Sequence, residues 1–183
     1  MNIVVLAAGT STERLVSIVS GANVCKALRA KGHKAVLVDV FCGDSQARSE
    51  DFFPEEYDVD EAQRYISAFN DKVDDLKRQR KSFFGPNVIE MCSAAHIVFL
   101  ALHGANGEDG RVQAAFDLLG IKYTGTDYIS SALAMDKTLT KHLFQAYGVP
   151  TAPAYSIEKA DAPVDPETKG LKYPVVVKAA CQG

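Results

Sequence analysis

Residues 96–110 read HIVFLALHGANGEDG and give the clearest structural signal in the chain. The unbroken apolar run over residues 97–102 is typical of a strand buried on both faces of a parallel sheet. The glycines and carboxylates that follow predict a loop, in which Asp109 caps a helix starting near Arg111. Because open α/β sheets bind ligands at the carboxyl ends of their strands, we expect a binding site at this loop.

The composition sets limits on the fold and on the partners. The chain has 183 residues, of which 47% are hydrophobic and 23% are charged, enough for one good core and the beginning of a second domain. The net charge of -3, without a run of basic residues, argues against nucleic acid or an anionic membrane as the main partner. Small anions remain possible ligands.

The sequence also suggests where the protein resides. The start of the chain is too short and too uncharged for a signal peptide, and no apolar run approaches the length needed to span a membrane. We therefore expect a cytoplasmic protein. The four cysteines are scattered and lie at no zinc-ligand spacing from the four histidines, which predicts reduced, mostly buried thiols and no metal site.

The first forty residues predict a strand, a helix and a second strand. Residues 3–7 predict a buried strand, and residues 8–14 a small polar turn at its carboxyl end. A helix follows and ends near Gly32, and residues 35–40 predict the next strand. The apolar residues that recur at helical spacing are Val16, Val19, Val24, Ala27 and Leu28.

This unit ends in Asp39, at the place where a dinucleotide-binding fold often keeps its ribose-binding acid. Such a fold also needs a Gly-x-Gly-x-x-Gly turn, so that the pyrophosphate can approach the backbone. Here Ala8-Gly9 is followed by a side-chain-rich segment, and the carboxylate of Glu13 would repel phosphates. The sequence therefore excludes the dinucleotide interpretation.

The middle of the chain predicts helices with little chemistry of their own. Residues 41–57 are polar and irregular and predict a surface excursion. Asp60 predicts the N-cap of one amphipathic helix that runs to about residue 81, with a solvated basic C-terminal half. Residues 86–95 predict a short helix that leads into the central strand, and residues 121–126 predict a short strand and turn.

The organisation changes after residue 126. Ser130 or Ser131 predicts the cap of one helix that continues to Tyr147. Residues 152–157 and 173–178 predict two further strands.

A Pro- and charge-rich loop is expected between these strands, over residues 158–170. Lys178 ends the second of them, and the turn after it resembles half of a phosphate-binding element. We therefore expect the sequence to stop inside a functional unit, and residues 1–183 alone to have no catalytic activity of their own.

Five segments in this order resemble D-alanine–D-alanine ligases of the ATP-grasp superfamily. The matching segments are AGTSTER at 8–14, LHGANGEDG at 102–110, YTG at 123–125, ALAMDK at 132–137 and VVVK at 175–178. The resemblance implies a Rossmann-like α/β pre-ATP-grasp domain with a parallel sheet over residues 1–126. Residues 127–183 would begin the α+β ATP-grasp domain. Ala8 departs from the family pattern, because it replaces the first of two loop glycines.

The resemblance also implies the reaction and its residues. ATP would phosphorylate one D-alanine, and the amine of a second would attack the acyl phosphate, giving D-alanyl-D-alanine for peptidoglycan. Glu13 resembles the acid that fixes the first substrate's ammonium, and Val16 the apolar wall for its methyl group. His103 and Gly104 resemble the residues beside its carboxylate and the developing acyl phosphate.

The nucleotide and the assembly are implied in the same way. Lys137 and Lys178 resemble the two lysines that contact the ATP phosphates, where positive charge favours phosphoryl transfer. The ligands of Mg²⁺ are expected beyond residue 183, and the family suggests a homodimer.

Two alternatives stay open at this point. One is a related ligase that joins D-alanine to D-lactate or D-serine, since the residues that choose the second substrate lie downstream. The other is a non-catalytic binding or dimerisation module, because a fold alone does not fix a function. The intact Glu13, His103, Lys137 and Lys178 argue against the second alternative.

Overall fold

A computed structural model describes residues 1–157 and 164–182 and contains a parallel sheet of three strands in the order β2-β1-β3. The strands are β1 (Asn2–Ala7), β2 (Lys34–Asp39) and β3 (Ile97–Leu100). In the register of the sheet, Ile3 of β1 lies opposite Ala35 on one side and Ile97 on the other. The predicted α/β fold with a parallel sheet is therefore confirmed.

The middle strand, β1, is the one buried on both faces. Its residues alternate between two hydrophobic clusters, with Val4 and Leu6 in one and Val5 and Ala7 in the other. β3 is only half-buried except at Val98, so the prediction of a strand covered on both faces is wrong for most of it. The strand predicted at residues 121–126 is reduced to one bridge between Val98 and Tyr123.

Helix α1 (Arg14–Ala30) packs on the sheet mostly through small residues, whereas two of the predicted valines face outward and Val24 is only partly buried. Val16 and Val19 are 55% and 53% exposed. The buried face instead contains Ser17, Ile18, Gly21, Ala22 and Cys25. A Cβ placed on Gly21 would lie 2.7 Å from the Cβ of Ala7, so the helix approaches β1 too closely for larger side chains.

The single helix predicted from Asp60 to residue 81 is wrong, because the structure divides it. Asp58, not Asp60, is the N-cap of α2 (Val59–Ser67). A 3₁₀ turn at Asn70–Lys72 separates it from α3 (Val73–Gln79). Two hydrogen bonds accompany the break: the carbonyl of Ile66 accepts from the Phe69 N–H and from Arg14, which tightens the end of α2.

The segment predicted as a surface excursion, residues 41–57, begins in the core and reaches the surface only from residue 44, where all residues except Phe52 are exposed or half-buried. Val40, Phe41 and Cys42 are buried, and the backbone of Gly43 lies directly against Gly85 and Pro86.

Further along this segment, Tyr57 returns to β2. Its hydroxyl accepts a hydrogen bond from the Leu37 N–H (3.0 Å) and donates one to the Leu37 carbonyl (3.2 Å). Burial raises the pKa of Tyr57 above its ordinary value, so this hydroxyl keeps its proton.

Four more helices follow in the second half of the chain. They are α4 (Val88–Ala94), α5 (Arg111–Leu119), α6 (Tyr128–Met135) and α7 (Lys137–Ala146). The prediction of one helix from Ser130 or Ser131 to Tyr147 is wrong. Asp127 caps α6, and Asp136 interrupts the helix because its carboxylate accepts hydrogen bonds from the first turn of α7.

Beyond α7, the described residues contain a 3₁₀ turn at Pro166–Lys169 and no strand. The strands predicted at 152–157 and 173–178 are therefore wrong, since no described strand lies alongside to pair with them. Val176 and Val177 are 80% and 90% exposed. Part of the loop predicted at 158–170, residues 158–163, lies outside the described residues.

The predicted state of the cysteines is confirmed. Cys25, Cys42 and Cys92 are buried and unpaired, whereas Cys181 is exposed. Burial raises the pKa of each of the three buried thiols to about 12, which makes them unreactive. None of the helices in the described parts of the chain is both long enough and apolar enough to cross a bilayer.

Candidate functional site

Two loops meet at the carboxyl edge of the sheet, one after β1 and one after β3. Ser11 joins them, because its hydroxyl donates to the His103 carbonyl (2.7 Å) and accepts from the Glu13 N–H (3.2 Å). A Cβ on Gly104 would lie 2.9 Å from Oε2 of Glu13, which places that carboxylate directly against the second loop. The structure thus brings Glu13 next to the pair His103 and Gly104, although Glu13 and His103 are 90 residues apart in the sequence.

The base of the first loop is held by a buried serine. Ala8 and Gly9 both have left-handed backbones, with φ angles of 64° and 83°. The Ser17 hydroxyl accepts from the Ala8 N–H (2.8 Å) and donates to the Ala101 carbonyl (2.7 Å). This pair of bonds supports the strained conformation of Ala8, so the departure from the family glycine leaves the turn intact.

A buried ion pair supports the same loop from below. Nη2 of Arg14 lies 2.6 Å from Oδ2 of Asp39, whose side chain is fully buried, and Nη1 donates to the Gly9 carbonyl (2.7 Å). Oδ1 of Asp39 accepts from the backbone N–H groups of Phe41 and Cys42. Asp39 is therefore fully engaged in structure and has no oxygen free for a ribose.

The ring of His103 lies at the front of the site, between α1 and its own loop. Nε2 is 3.3 Å from the Ser20 hydroxyl, and Nδ1 is 3.9 Å from Oε1 of Glu108. Sequence reasoning missed Ser11, Ser20 and Glu108. A signal existed for Ser20 alone, since it lies seven residues after Glu13 and hence on the same face of a helix.

Val16 lies on that face as well, between Glu13 and Ser20 in helical spacing. With 55% of its surface exposed, it does not belong to the core face on which its helical spacing would place it. Its position fits an apolar wall beside the Glu13 carboxylate.

The loop after β3 has a different cap from the one predicted. Gly110, with a φ of 86°, is the N-cap of α5, and no side chain caps the helix. Asp109 lies one residue earlier, and its carboxylate accepts from the N–H groups of Asn106 (2.9 Å) and Arg111 (3.3 Å). It therefore bonds both the loop and the first residue of α5, although it is not the N-cap residue.

The two lysines lie away from these loops. Lys137 begins α7, its N–H donates to the Ala180 carbonyl (3.0 Å), and its ammonium donates to the Gln182 carbonyl. Lys178 is exposed. In residues 1–157 and 164–182, no hydrogen bond or ion pair joins either lysine to Glu13 or His103.

Lys141, one turn further along α7, is held by the segment that follows the helix. Its ammonium donates to the Thr151 hydroxyl (2.9 Å) and to the Ala152 carbonyl (2.6 Å). It therefore fastens α7 to the segment that follows.

The site is an open surface of loops. One cleft of about 280 Å³ is lined by Asn2, at the amino end of β1, and another of about 260 Å³ by His96, next to the amino end of β3. Both clefts therefore lie at the opposite edge of the sheet from the two loops. Within the described residues, no three His, Cys, Asp or Glu side chains are grouped to hold a metal ion.

Comparison with known proteins agrees with this class of parallel α/β domain. Residues 2–126 match the model of the family described as D-ala D-ala ligase N-terminus, and the chain belongs to that family.

Individual relatives lead to the same family. The chain is 39% identical over 187 residues to the D-alanine–D-alanine ligase of Lacticaseibacillus casei, covering 100% of this chain and 52% of that protein. It is 35% identical to the ligase of Geobacter sulfurreducens, covering 98% of this chain and 43% of that protein. The chain thus spans about half the length of these curated relatives.

A solved structure is similar over the whole chain. It is the Bacillus anthracis D-alanine–D-alanine ligase complexed with ATP, with 25% sequence identity and a TM-score of 0.61, covering 100% of this chain and 48% of that one.

Proposed function

We propose that the protein carrying this chain joins two D-alanine molecules, with ATP consumed through an acyl phosphate, to make D-alanyl-D-alanine for peptidoglycan. The observation that carries the proposal is the contact between the two loops, which sets the Glu13 carboxylate against Gly104 and beside His103. Every relative named above is a D-alanine–D-alanine ligase, which favours this reaction over a D-lactate or D-serine product.

In this proposal, Glu13 binds the ammonium of the first D-alanine. Glu13 lies at the start of α1, and its backbone N–H donates to the Ser11 hydroxyl, which holds the backbone that carries the carboxylate. A charge-assisted hydrogen bond to an ammonium contributes about 1.5–3 kcal/mol. Val16, exposed on the same helix face, packs against the methyl group of the substrate.

His103 and Gly104 face the other end of the same substrate. A D-alanine carboxylate gains negative charge as it becomes an acyl phosphate, so groups that donate hydrogen bonds to it stabilise the transition state. The imidazole of His103 is half-exposed and free to meet such an anion at the mouth of the site. Gly104 leaves the room that a side chain would fill beside Glu13.

The nucleotide lies on the second part of the chain in this proposal. Residues 1–126 form the pre-ATP-grasp domain, and residues 127–183 begin the ATP-grasp domain, where Lys137 and Lys178 bind the ATP phosphates. The exposed Lys178 is available for a phosphate, and Lys137 already donates to a backbone oxygen, a bond that a phosphate oxygen would replace. Mg²⁺, a cytoplasmic location and a homodimer are proposed from the family alone.

The test replaces the corresponding half of the Lacticaseibacillus casei ligase with residues 1–183. ADP release is then measured with ATP, Mg²⁺ and D-alanine, and separately with D-lactate or D-serine as the second substrate. We expect D-alanine-dependent release within about tenfold of the parent enzyme, a rate factor equivalent to roughly 1.4 kcal/mol. A folded chimera that binds ATP but releases no ADP with D-alanine would contradict the proposal.

A further inference from the structure

The ring of His103 has a polar neighbour on each side, and the two neighbours differ in what they can do. The Ser20 hydroxyl, 3.3 Å from Nε2, can donate or accept a hydrogen bond. The Glu108 carboxylate, with Oε1 3.9 Å from Nδ1, can only accept while it is ionised. The pair is therefore asymmetric, and a neutral imidazole has to choose one nitrogen for its proton.

Glu108 is itself held in place by the loop that it closes. Its Oε2 accepts a hydrogen bond from the Gly104 N–H (2.7 Å), and its own N–H donates to the Gly104 carbonyl (2.9 Å). Gly104 has a φ of 69°, a conformation in which its N–H turns into the loop toward this carboxylate. With Oε2 fixed in this way, Oε1 is the oxygen that faces the histidine.

We propose that Glu108 is a positioning residue that holds neutral His103 as the Nδ1–H tautomer. The distance of 3.9 Å is longer than a hydrogen bond, so the carboxylate acts through its charge, which orients the N–H of the ring toward it. Nε2 is then unprotonated and accepts from the Ser20 hydroxyl. Neither Ser20 nor Glu108 touches the substrate in this arrangement.

This assignment rests on the proposed function for its chemical meaning. Because Nδ1 already carries a proton in this arrangement, Nε2 is the nitrogen at which the ring would be protonated, and the Ser20 hydroxyl would then accept from it. The imidazolium so formed lies between the incoming carboxylate or phosphate and the fixed carboxylate of Glu108. Glu108 would thus balance the positive charge that His103 presents to the reacting group.

The experiment measures the tautomer directly, without any ligase activity. The 183-residue chain is labelled with ¹⁵N-histidine, and the ring nitrogens are observed by NMR at about pH 8.5, where an ordinary histidine is neutral. His96 serves as an internal reference for the opposite tautomer, because its Nδ1 accepts the Asn2 N–H (2.9 Å) and its proton is therefore on Nε2.

The decisive variant is Glu108→Gln. The Gly104 N–H keeps the amide oxygen of glutamine, so its NH₂ group turns to Nδ1 of His103 and favours the Nε2–H tautomer instead. We expect the Nδ1–H form to fall from the majority to the minority of the neutral ring. Asp109→Asn removes the same charge one residue along, from a carboxylate that bonds Asn106 and Arg111, and should leave the tautomer unchanged.

A second variant protects the test against misfolding of the first. Ser20→Ala removes the partner of Nε2 but leaves Glu108, so the Nδ1–H form should persist. The proposal is overturned if wild-type His103 carries its proton on Nε2. It is also overturned if folded Glu108→Gln keeps the wild-type tautomer, or if Asp109→Asn or Ser20→Ala alone reverses it. Failure of the ligase assay would leave these results standing, so the two proposals fail separately.

Discussion

Gly104 offers a direct test of the contact between the two loops, because the chain contains a matched control. Gly104 and Gly120 have almost the same left-handed backbone, with φ angles of 69° and 67°. A Cβ on Gly120 would meet nothing within 4 Å, whereas a Cβ on Gly104 would lie 2.9 Å from Oε2 of Glu13 and 3.2 Å from the Cβ of Ser11. Alanine at the two positions therefore shares the backbone strain and differs in the contact.

Alanine in this conformation costs about 1–2 kcal/mol. For a chain of this size, each 1 kcal/mol lowers the Tm by about 2–4 °C. We expect Gly120→Ala and Gly104→Ala to show this loss of stability, with a somewhat larger loss for Gly104→Ala because Ser11 and its backbone must also shift. The Glu13 carboxylate, which ends a flexible side chain, would move by a few tenths of an ångström or more to relieve the overlap.

Thermal unfolding measures the Tm of each variant. A titration with D-alanine, monitored by calorimetry or NMR, measures its Kd. A displaced carboxylate forms a poorer charge-assisted bond, and losing about 1.4 kcal/mol raises a Kd about tenfold. Gly104→Ala should therefore weaken D-alanine binding by roughly tenfold, while Gly120→Ala should bind it like the wild type. Equal D-alanine affinity in the two folded variants would refute the reasoning that Gly104 and Glu13 form one site.

Four further predictions concern single residues. In the chimeric ligase described above, Glu13→Gln should raise the Kd of D-alanine roughly tenfold or more and leave the Kd of ATP unchanged in calorimetry, and an unchanged Kd of D-alanine would remove Glu13 from the site. Lys137→Ala should raise the Kd of ATP and leave the Kd of D-alanine unchanged, and an unaltered Kd of ATP would mean that Lys137 has only a structural role. Asp39→Asn leaves a buried guanidinium unpaired and should cost about 3–5 kcal/mol in urea unfolding, and a loss below about 1 kcal/mol would contradict the ion pair. A hydrogen bond from the Leu139 N–H lowers the pKa of Asp136 in the folded chain. The ionised Asp136 should therefore stabilise α7 fully above the ordinary pKa of 3.8, and this stabilisation should be lost as the pH falls through the lower pKa of the folded state. Amide chemical shifts of α7 should show that acid step, and Asp136→Asn should lack it.

The parts of the fold that the sequence predicted are those decided by local patterns. The apolar runs of β1 and β2 need no partner to be recognised, and the polar turns after β1 and β3 had to meet once the strands were parallel neighbours. The buried face of α1 was not predictable in this way. Its valines have the greater hydrophobicity, yet the close approach that Gly21 permits gives the core to small residues.

The helix boundaries and the partners of His103 depend on contacts that no local pattern reports. Arg14 takes the Ile66 carbonyl from 52 residues away and helps to end α2. Ser20 meets His103 across 83 residues, which spacing on α1 suggests but does not establish. Glu108 reaches the ring only because its loop folds back on Gly104. The same holds for Lys137 and Lys178, because the residues next to them in the sequence do not show whether their ammonium groups contact solvent or a phosphate.

The hydroxyl of Tyr57 has a consequence for how this protein behaves at high concentration. The outer edge of β2 presents the Leu37 N–H and carbonyl as the groups that an incoming strand would pair with, and one side chain occupies both. An exposed strand edge is a template for unwanted pairing between chains, including the cross-β stacking of aggregates. Tyr57→Phe would keep the packed ring and remove both hydrogen bonds to Leu37. Arg29 donates to the Ala35 carbonyl and the Gly43 N–H to the Asp39 carbonyl, so these groups and the Tyr57 hydroxyl together occupy the edge of β2 where strands of other molecules could add.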